Sequence, residues 1–216
     1  MSSNACIGII LAGGLSRRMG GGDKPLTLLG GAPLLSYTVA ALRPQCSRLV
    51  LSANGDLKRF ANFNFPCVAD DLPGHQGPLA GVLAGLDWAA QHSPEMPLAL
   101  SAPADTPFLP RNLVARLQSA RQDDAAIACA SSGGKLHPAI ALWPVALRGR
   151  LRQALMDGNL RKVETFIRDC GAAIVDWPVA PYDPFFNINN PIELQEAAAI
   201  LRRHKNRMHN GAVAGV

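Results

Sequence analysis

Short apolar runs alternate with helical patterns along most of this sequence, and that alternation constrains the fold more than any other feature. Strands are predicted at residues 7–11, 48–52 and 97–101, with helical patterns between and after them. This alternation predicts the α/β class: a single Rossmann-like domain with a mainly parallel sheet and helices on both faces. The length of 216 residues is enough for one such domain with a proper core.

Polar residues follow several of the predicted strands. A glycine-rich loop comes after Leu11, a polar turn after Ser52, two aspartates soon after Val68, and Asp105 after the strand that ends at Ser101. In parallel sheets, ligands bind beyond the carboxyl ends of the strands. The sequence therefore predicts a binding site at this edge of the sheet.

The loop after the first strand is both glycine-rich and basic. Residues 11–25, LAGGLSRRMGGGDKP, contain five glycines and the three cations Arg17, Arg18 and Lys24. Glycine lets backbone N–H groups approach an anion closely, and arginine and lysine supply charge for phosphate oxygens. The loop indicates a polyphosphate site, with a flexible surface loop as the alternative.

Two common phosphate-binding motifs do not fit this loop. A Walker A loop ends in Gly-Lys-Ser/Thr, whereas Lys24 lies between Asp23 and Pro25. The Gly-x-Gly-x-x-Gly spacing of dinucleotide-binding loops is also absent.

The same segment resembles the pattern of the molybdenum cofactor guanylyltransferase family. The resemblance continues in order through GPLAG at 77–81, DTP at 105–107, HPAIAL at 137–142 and FNINNP at 186–191. It implies a GT-A-like nucleotidyltransferase fold. It also implies transfer of GMP from GTP to the terminal phosphate of molybdopterin or the molybdenum cofactor, with release of pyrophosphate and with Mg²⁺ as cofactor.

The resemblance implies catalytic roles for Arg18, Lys24 and Asp105. Arg18 and Lys24 would steady the triphosphate and the departing pyrophosphate. Asp105 would bind the metal, because Mg²⁺ prefers hard oxygen ligands and needs only one or two carboxylates beside substrate phosphates. The alternative for Asp105 is a helix N-cap, but it lies five residues before Pro110, too early for a simple cap.

Residues for the two substrates also follow from the resemblance. The backbone at Leu11–Gly13 would shape the guanine pocket, with a base contact in the turn at Ser52–Asn54 and a guanosine contact at Asp71. The full implied GTP-binding set is Leu11, Ala12, Gly13, Lys24, Ser52, Asn54, Asp71 and Asp105. The implied molybdopterin-binding set is Arg161, Lys162, Asn187 and Asn189. An asparagine can donate to and accept from a pterin ring, although turn formation and helix capping are alternatives for this Asn-rich segment.

The net charge of +5 does not indicate a nucleic-acid partner. It is concentrated near the C-terminus, and without four basic residues there the rest of the chain is near +1: Arg202, Arg203, Lys205 and Arg207. We expect a nucleotidyltransferase domain over residues 1–203, with a last helix over 191–203, and a disordered basic tail over 204–216.

Composition excludes several other classes. Hydrophobic residues make up 48% and charged residues 17% of the chain, which is a globular composition. The apolar runs are too short to cross a membrane, and the N-terminus lacks the basic start of a signal peptide. Five scattered cysteines without a Cys-x-x-Cys pair indicate a reducing compartment. We therefore expect a cytoplasmic protein without a membrane or nucleic-acid partner.

Two other functions remain open at this point. One is a related cytidylyl or sugar-phosphate nucleotidyltransferase. The other is a non-catalytic GTP-binding module that delivers the cofactor. Besides GTP and molybdopterin, the expected partners are other cofactor-biosynthesis proteins and the acceptor molybdoenzymes or their chaperones.

Overall fold

A seven-stranded sheet is the centre of the computed structural model, which describes residues 6–13, 23–72, 77–121, 127–157 and 163–213. The strands, in chain order, are β1 (Cys6–Leu11), β2 (Leu28–Leu29), β3 (Ala32–Pro33), β4 (Arg48–Ser52), β5 (Cys67–Val68), β6 (Leu98–Pro103), β7 (Ala128–Ser132), β8 (Lys135–Pro144) and β9 (Ala173–Trp177). The helices are α1 (Leu34–Leu42), α2 (Pro78–His92), α3 (Leu113–Ala120), α4 (Arg148–Met156), α5 (Val163–Asp169) and α6 (Pro191–Val213).

The strand order of the sheet is β5–β4–β1–β6–β8–β7–β9. Within it, β8 alone among the described strands runs antiparallel to its neighbours, and β2 and β3 form a separate small hairpin. The predicted α/β class with a mainly parallel sheet is confirmed.

Helices cover both faces of this sheet, which explains why its central strands are almost wholly apolar. All six residues of β1 are buried, with Cys6 and Ile10 facing one layer and Ile7 and Ile9 facing the other. The first layer contains α1 and α3, and the second contains α2, α4 and α5. A smaller apolar cluster lies under α6 and consists of Leu29, Leu34, Ile188 and Ala197.

Two glycines let α2 pack closely on the sheet. A Cβ built on Gly85 would lie 2.5 Å from a side-chain carbon of Ile9, and one built on Gly81 would lie 2.9 Å from Oγ of Ser52. Real Cβ atoms do not approach other atoms so closely, so a larger residue at either position would force the helix or the neighbouring side chain to shift. Gly81 belongs to the GPLAG segment, and this packing is a physical reason for its residue type.

The chain reverses its direction of travel across the sheet at β1. From β1 it proceeds through β4 to the edge strand β5, then returns to place β6 on the other side of β1. Such a switch opens a crevice beyond the carboxyl ends of the two central strands. Here those ends are Leu11 in β1 and Pro103 in β6.

Some element boundaries differ from the prediction. The last helix, predicted to end at Arg203, runs to Val213, and the sequence has neither glycine nor proline between Arg203 and Gly211 to stop it. A 3₁₀ helix at Leu57–Phe63 was not predicted. The division into a domain and a tail at residue 203 stays a prediction.

Among the described helices, none combines the length and apolar character needed to span a membrane.

Candidate active site at the carboxyl edge of the sheet

Asp105 lies in the crevice directly beyond β6. The backbone N–H of Ala104 donates to the carbonyl of Leu11 at 3.0 Å, which ties this turn to the end of β1. The Asp105 side chain is 13% exposed, and its Oδ2 forms an ion pair with Lys24. Its other oxygen, Oδ1, is buried and has no hydrogen-bond partner among the described residues. An unpaired buried carboxylate oxygen is costly, which makes Oδ1 a candidate ligand atom for a cation or a donor on a substrate.

Opposing effects act on the pKa of the Asp105 carboxyl. Burial raises it, while the ammonium of Lys24 lowers it through its charge and its hydrogen bond, and the net direction is upward. A bound cation would favour the ionised carboxylate in the same way as Lys24 does.

Lys24 is held at the start of a short 3₁₀ helix, Lys24–Leu26, whose Pro25 is buried. Its Nζ lies 2.8 Å from Oδ1 of Asn189 and 3.5 Å from Oδ1 of Asn187. The ammonium thus lies among a carboxylate and two amide oxygens. This group brings together three segments far apart in sequence, and we call Lys24, Asp105, Asn187 and Asn189 the central cluster.

The Asn-rich segment is shaped to present both asparagines to Lys24. Between them, Ile188 is fully buried, and its N–H donates to the carbonyl of Asp105 at 3.1 Å. The N–H of Asn189 donates to the carboxylate of Glu193, and the N–H of Glu193 donates to Oδ1 of Asn190 at 3.0 Å. Asn190 therefore caps α6, as the turn and capping alternative predicts for this residue, while Asn187 and Asn189 face the site.

The residues that the resemblance implies for the guanine pocket lie in the other half of the same edge. The N–H of Ala12 donates to the carbonyl of Ser52 at 2.8 Å, which joins the ends of β1 and β4. Gly13 is exposed, and an added Cβ would meet no atom of the described residues within 4 Å. Leu11 is almost fully buried, and so is Ser52, which lies against Gly81 of α2.

Asn54 links two strand ends. Its Nδ2 donates to Oδ2 of Asp70 at 2.7 Å, and its Oδ1 accepts from the N–H of Asp70 at 3.2 Å. Asp71, the residue implied for guanosine, is instead contacted from α4: Arg152 lies 3.2 Å from Asp71 Oδ2 and 2.6 Å from Asp87 Oδ2. The structure therefore brings Asn54 and Asp71 to the β5 side of the edge, away from the central cluster in the strand order.

Three predicted site residues, Arg18, Arg161 and Lys162, lie outside the described residues, and their roles stay predictions.

The described part of the chain contains no group of three or more His, Cys, Asp or Glu side chains that could share a metal ion. Mg²⁺ does not require such a group when substrate phosphates supply the other ligands.

Several residues that shape this edge of the sheet were not predicted from the sequence. Arg59, in the unpredicted 3₁₀ helix, lies 2.9 Å from Asp23 and donates to the carbonyl of Asn54 at 2.8 Å. It thereby joins the residue before Lys24 to the turn at Ser52–Asn54. Arg152 and Glu193 were also missed, and no motif marks any of the three.

A second group of polar side chains consists of Ser132, His137 and Asp183, and we call it the relay cluster. In the strand order it lies on the side of β6 that is away from β1. Ser132 Oγ lies 2.7 Å from Nε2 of His137 and donates to Oδ1 of Asp183 at 2.8 Å. The same Asp183 oxygen accepts from the N–H of Phe185 at 2.9 Å. Burial lowers the pKa of the His137 imidazole, Asp183 opposes that shift, and Lys135 adds to it.

Comparison with known proteins adds the family context. The sequence model of the MobA-like NTP transferase domain matches residues 8–170. A protein of Rhodopseudomonas palustris (strain HaA2) named molybdenum cofactor guanylyltransferase is 56% identical over 196 residues, covering 90% of this chain and 92% of that protein. A protein of the same name from Bradyrhizobium sp. (strain ORS 278) is 53% identical over 197 residues, covering 91% and 93%.

A solved structure supports the fold independently. The crystal structure of molybdopterin-guanine dinucleotide biosynthesis protein A from Archaeoglobus fulgidus superposes with a TM-score of 0.67 at 23% identity, covering 91% of this chain and 99% of that chain. At this level of identity, the similarity concerns the fold.

Proposed function

Because the chain belongs to the MobA-like NTP transferase family, we propose that it transfers GMP from GTP to the terminal phosphate of molybdopterin or its molybdenum form. The products are a guanine dinucleotide cofactor and pyrophosphate. Support comes from relatives above 50% identity, over about 90% of the chain, that carry the name molybdenum cofactor guanylyltransferase.

The observation that carries the proposal is the central cluster at the switch point. One lysine, two amide oxygens and one carboxylate, whose Oδ1 has no partner among the described residues, converge beyond β1 and β6. Transfer of a nucleotidyl group needs charge neutralisation and alignment more than covalent help from the protein. The cluster supplies groups for both.

The reaction is an in-line displacement at the α-phosphorus of GTP. An oxygen of the acceptor phosphate forms the new P–O bond as the bond to the pyrophosphate oxygen breaks, and the pyrophosphate leaves with that electron pair. Lys24 neutralises charge on the triphosphate and on the departing pyrophosphate. Asp105 Oδ1 is a hard oxygen atom without a partner among the described residues, which fits Mg²⁺, and the ion would supply further charge neutralisation there.

The asparagines Asn187 and Asn189 complete this arrangement. By accepting hydrogen bonds from Lys24 they hold its ammonium in the crevice, where it would meet the phosphates of both substrates. Their amide groups also present donors toward the acceptor, in keeping with the implied molybdopterin contact.

We further propose that the protein works in the cytoplasm, because all five cysteines are free, as expected in a reducing compartment. The dinucleotide product would pass to acceptor molybdoenzymes, directly or through their chaperones.

The experiment that tests the function is product formation in vitro. Purified protein is incubated anaerobically with molybdopterin, Mg²⁺ and one nucleotide, GTP or CTP, and the products are identified by mass spectrometry. We expect molybdopterin guanine dinucleotide with GTP and little product with CTP, because a pocket built for guanine leaves polar groups unpaired around another base. Cytidylyl transfer at an equal rate would contradict the proposal.

A further inference from the structure

We infer that His137 is a specificity-determining residue for the acceptor, whose pterin portion it contacts through its Nδ1 atom. This inference rests on the proposed function, and it concerns a residue outside the implied substrate-binding sets. It follows from the position of the relay cluster and from the hydrogen-bond order within it.

The position follows from the strand order. The strand ends assigned to the nucleotide, those of β1, β4 and β5, lie on one side of β6, while β8, β7 and β9 lie on the other. The acceptor phosphate has to reach the central cluster at β1 and β6. The bulk of the acceptor must then leave that cluster over β8 and β7, because the nucleotide occupies the opposite side.

The relay cluster lies along that path. Ser132 is the last residue of β7, and His137 lies near the start of β8. Because β8 runs antiparallel to β7, both residues are at the carboxyl edge of the parallel strands. The segment from Asp183 to Asn189 connects the two clusters: Asp183 bonds Ser132, and Asn189 bonds Lys24. One short segment therefore spans from the relay cluster to Lys24 in the central cluster.

The hydrogen-bond order fixes the imidazole tautomer. The Ser132 hydroxyl has one hydrogen and donates it to the Asp183 carboxylate, so its lone pair accepts from Nε2–H of His137. In the neutral ring, Nδ1 is then the unprotonated acceptor. Among the described residues, Nδ1 has no hydrogen-bond donor, and the ring is only partly buried.

Apolar packing holds this ring in place. The His137 ring lies 4.9 Å from the ring of Phe185, and Phe185 packs edge-on against Trp177 at 5.2 Å between centroids. An oriented ring with a free acceptor atom selects a ligand that offers an N–H or O–H donor. A pterin ring carries amino and ring N–H donors of this kind.

The test compares His137→Gln with the wild-type enzyme. The glutamine amide can still donate to Ser132 from the position of Nε2, but it places no polar atom at Nδ1. We expect the KM for molybdopterin to rise about tenfold, the effect of one lost hydrogen bond, while the KM for GTP stays within about twofold. His92→Gln is the control, because His92 is an exposed residue at the C-terminal end of α2 that stacks on Trp88.

The KM values for molybdopterin and GTP distinguish a contact with the acceptor from a purely structural role of His137. An unchanged molybdopterin KM overturns the inference, and so does an equal rise in the KM for GTP, which would indicate a purely structural role. If His137→Gln lacks a cooperative melting transition, Ser132→Ala replaces it: a rise of about threefold or more in the molybdopterin KM supports the inference, and no rise overturns it. If the wild-type enzyme itself forms no dinucleotide, the proposed function fails, and this inference fails with it.

Discussion

The backbone N–H of Ile188 donates a hydrogen bond to the carbonyl oxygen of Asp105 at 3.1 Å. This bond ties the segment before α6 to the turn after β6. Because Ile188 is fully buried, the two asparagines beside it are held at the mouth of the crevice, where both approach Lys24. A substrate that binds at Asp105 therefore meets Lys24, which precedes Asp105 in the sequence, and the two asparagines, which follow it.

Asp105→Asn should reduce the rate of GMP transfer by about 10²–10³-fold, the usual effect of removing a key charge-stabilising group. The change keeps the size of the side chain but removes its charge opposite Lys24. Initial rates at saturating GTP and molybdopterin measure the effect. Asp157→Asn, at an exposed position after α4, is the control and should leave the rate unchanged. Turnover near the wild-type level in Asp105→Asn would rule this residue out as the main charged group of the site.

Asn189→Ala should impair catalysis more than Asn187→Ala. Asn189 accepts from Lys24 at 2.8 Å, whereas Asn187 is at 3.5 Å, where a hydrogen bond is weak. We expect both variants to raise the KM for molybdopterin, and Asn189→Ala also to weaken GTP binding by up to about tenfold, because a hydrogen bond to a charged group is lost. Calorimetry with GTP and steady-state kinetics separate the two effects. Equal effects of the two variants would contradict the greater importance of the shorter contact, between Lys24 and Asn189.

Arg152→Gln should raise the KM for GTP about two- to fivefold, in keeping with the small energies of exposed ion pairs. Arg152 contacts Asp71 at 3.2 Å and so restrains the carboxylate implied to recognise guanosine. Arg148→Gln is a matched control, since Arg148 lies on the same helix, 3.6 Å from Asp87. The prediction fails if the two variants have the same KM for GTP.

Gly85→Ala should destabilise the fold by about 1–3 kcal/mol, because the added methyl overlaps the buried Ile9 side chain at 2.5 Å. Gly149→Ala in α4 is the counterpart: in the part of the chain that the structure describes, nothing lies within 4 Å of its added Cβ, and alanine favours a helix by up to about 1 kcal/mol. Urea unfolding of both variants measures the difference. A stabilised Gly85→Ala would show that α2 can move away from the sheet at little cost.

The alternation of strands and helices was enough to predict the fold class and the edge at which polar residues gather. Strand β4 matches its predicted bounds, Arg48–Ser52, because a short apolar run between polar residues leaves little choice of where the strand begins and ends. The apolar run at residues 139–143 marks only part of β8, because the first residues of this strand are exposed or half-buried and lack an apolar pattern. Its antiparallel direction was not predicted either, since periodicity carries no information about the neighbours of a strand.

The site was predictable where its residues follow strands and unpredictable where long-range contacts place them. Lys24 and Asp105, both assigned to the site from the sequence, form an ion pair in the structure, and their roles stay predictions. Arg59 and Arg152 are single arginines in helices, and only the folded chain shows that they contact Asp23 and Asp71. The relay cluster was missed for the same reason, since Asp183 is far from Ser132 in sequence.

In the proposed reaction, the α-phosphate of GTP moves to the acceptor as part of the transferred GMP. Incubation with molybdopterin and Mg²⁺ is run twice, once with [α-³²P]GTP and once with [γ-³²P]GTP, and the labelled products are separated by chromatography. We predict that the α label appears in a molybdopterin dinucleotide and the γ label in pyrophosphate. An α label that remains in GTP, or that appears only as free GMP or GDP while molybdopterin is unchanged, would contradict the account.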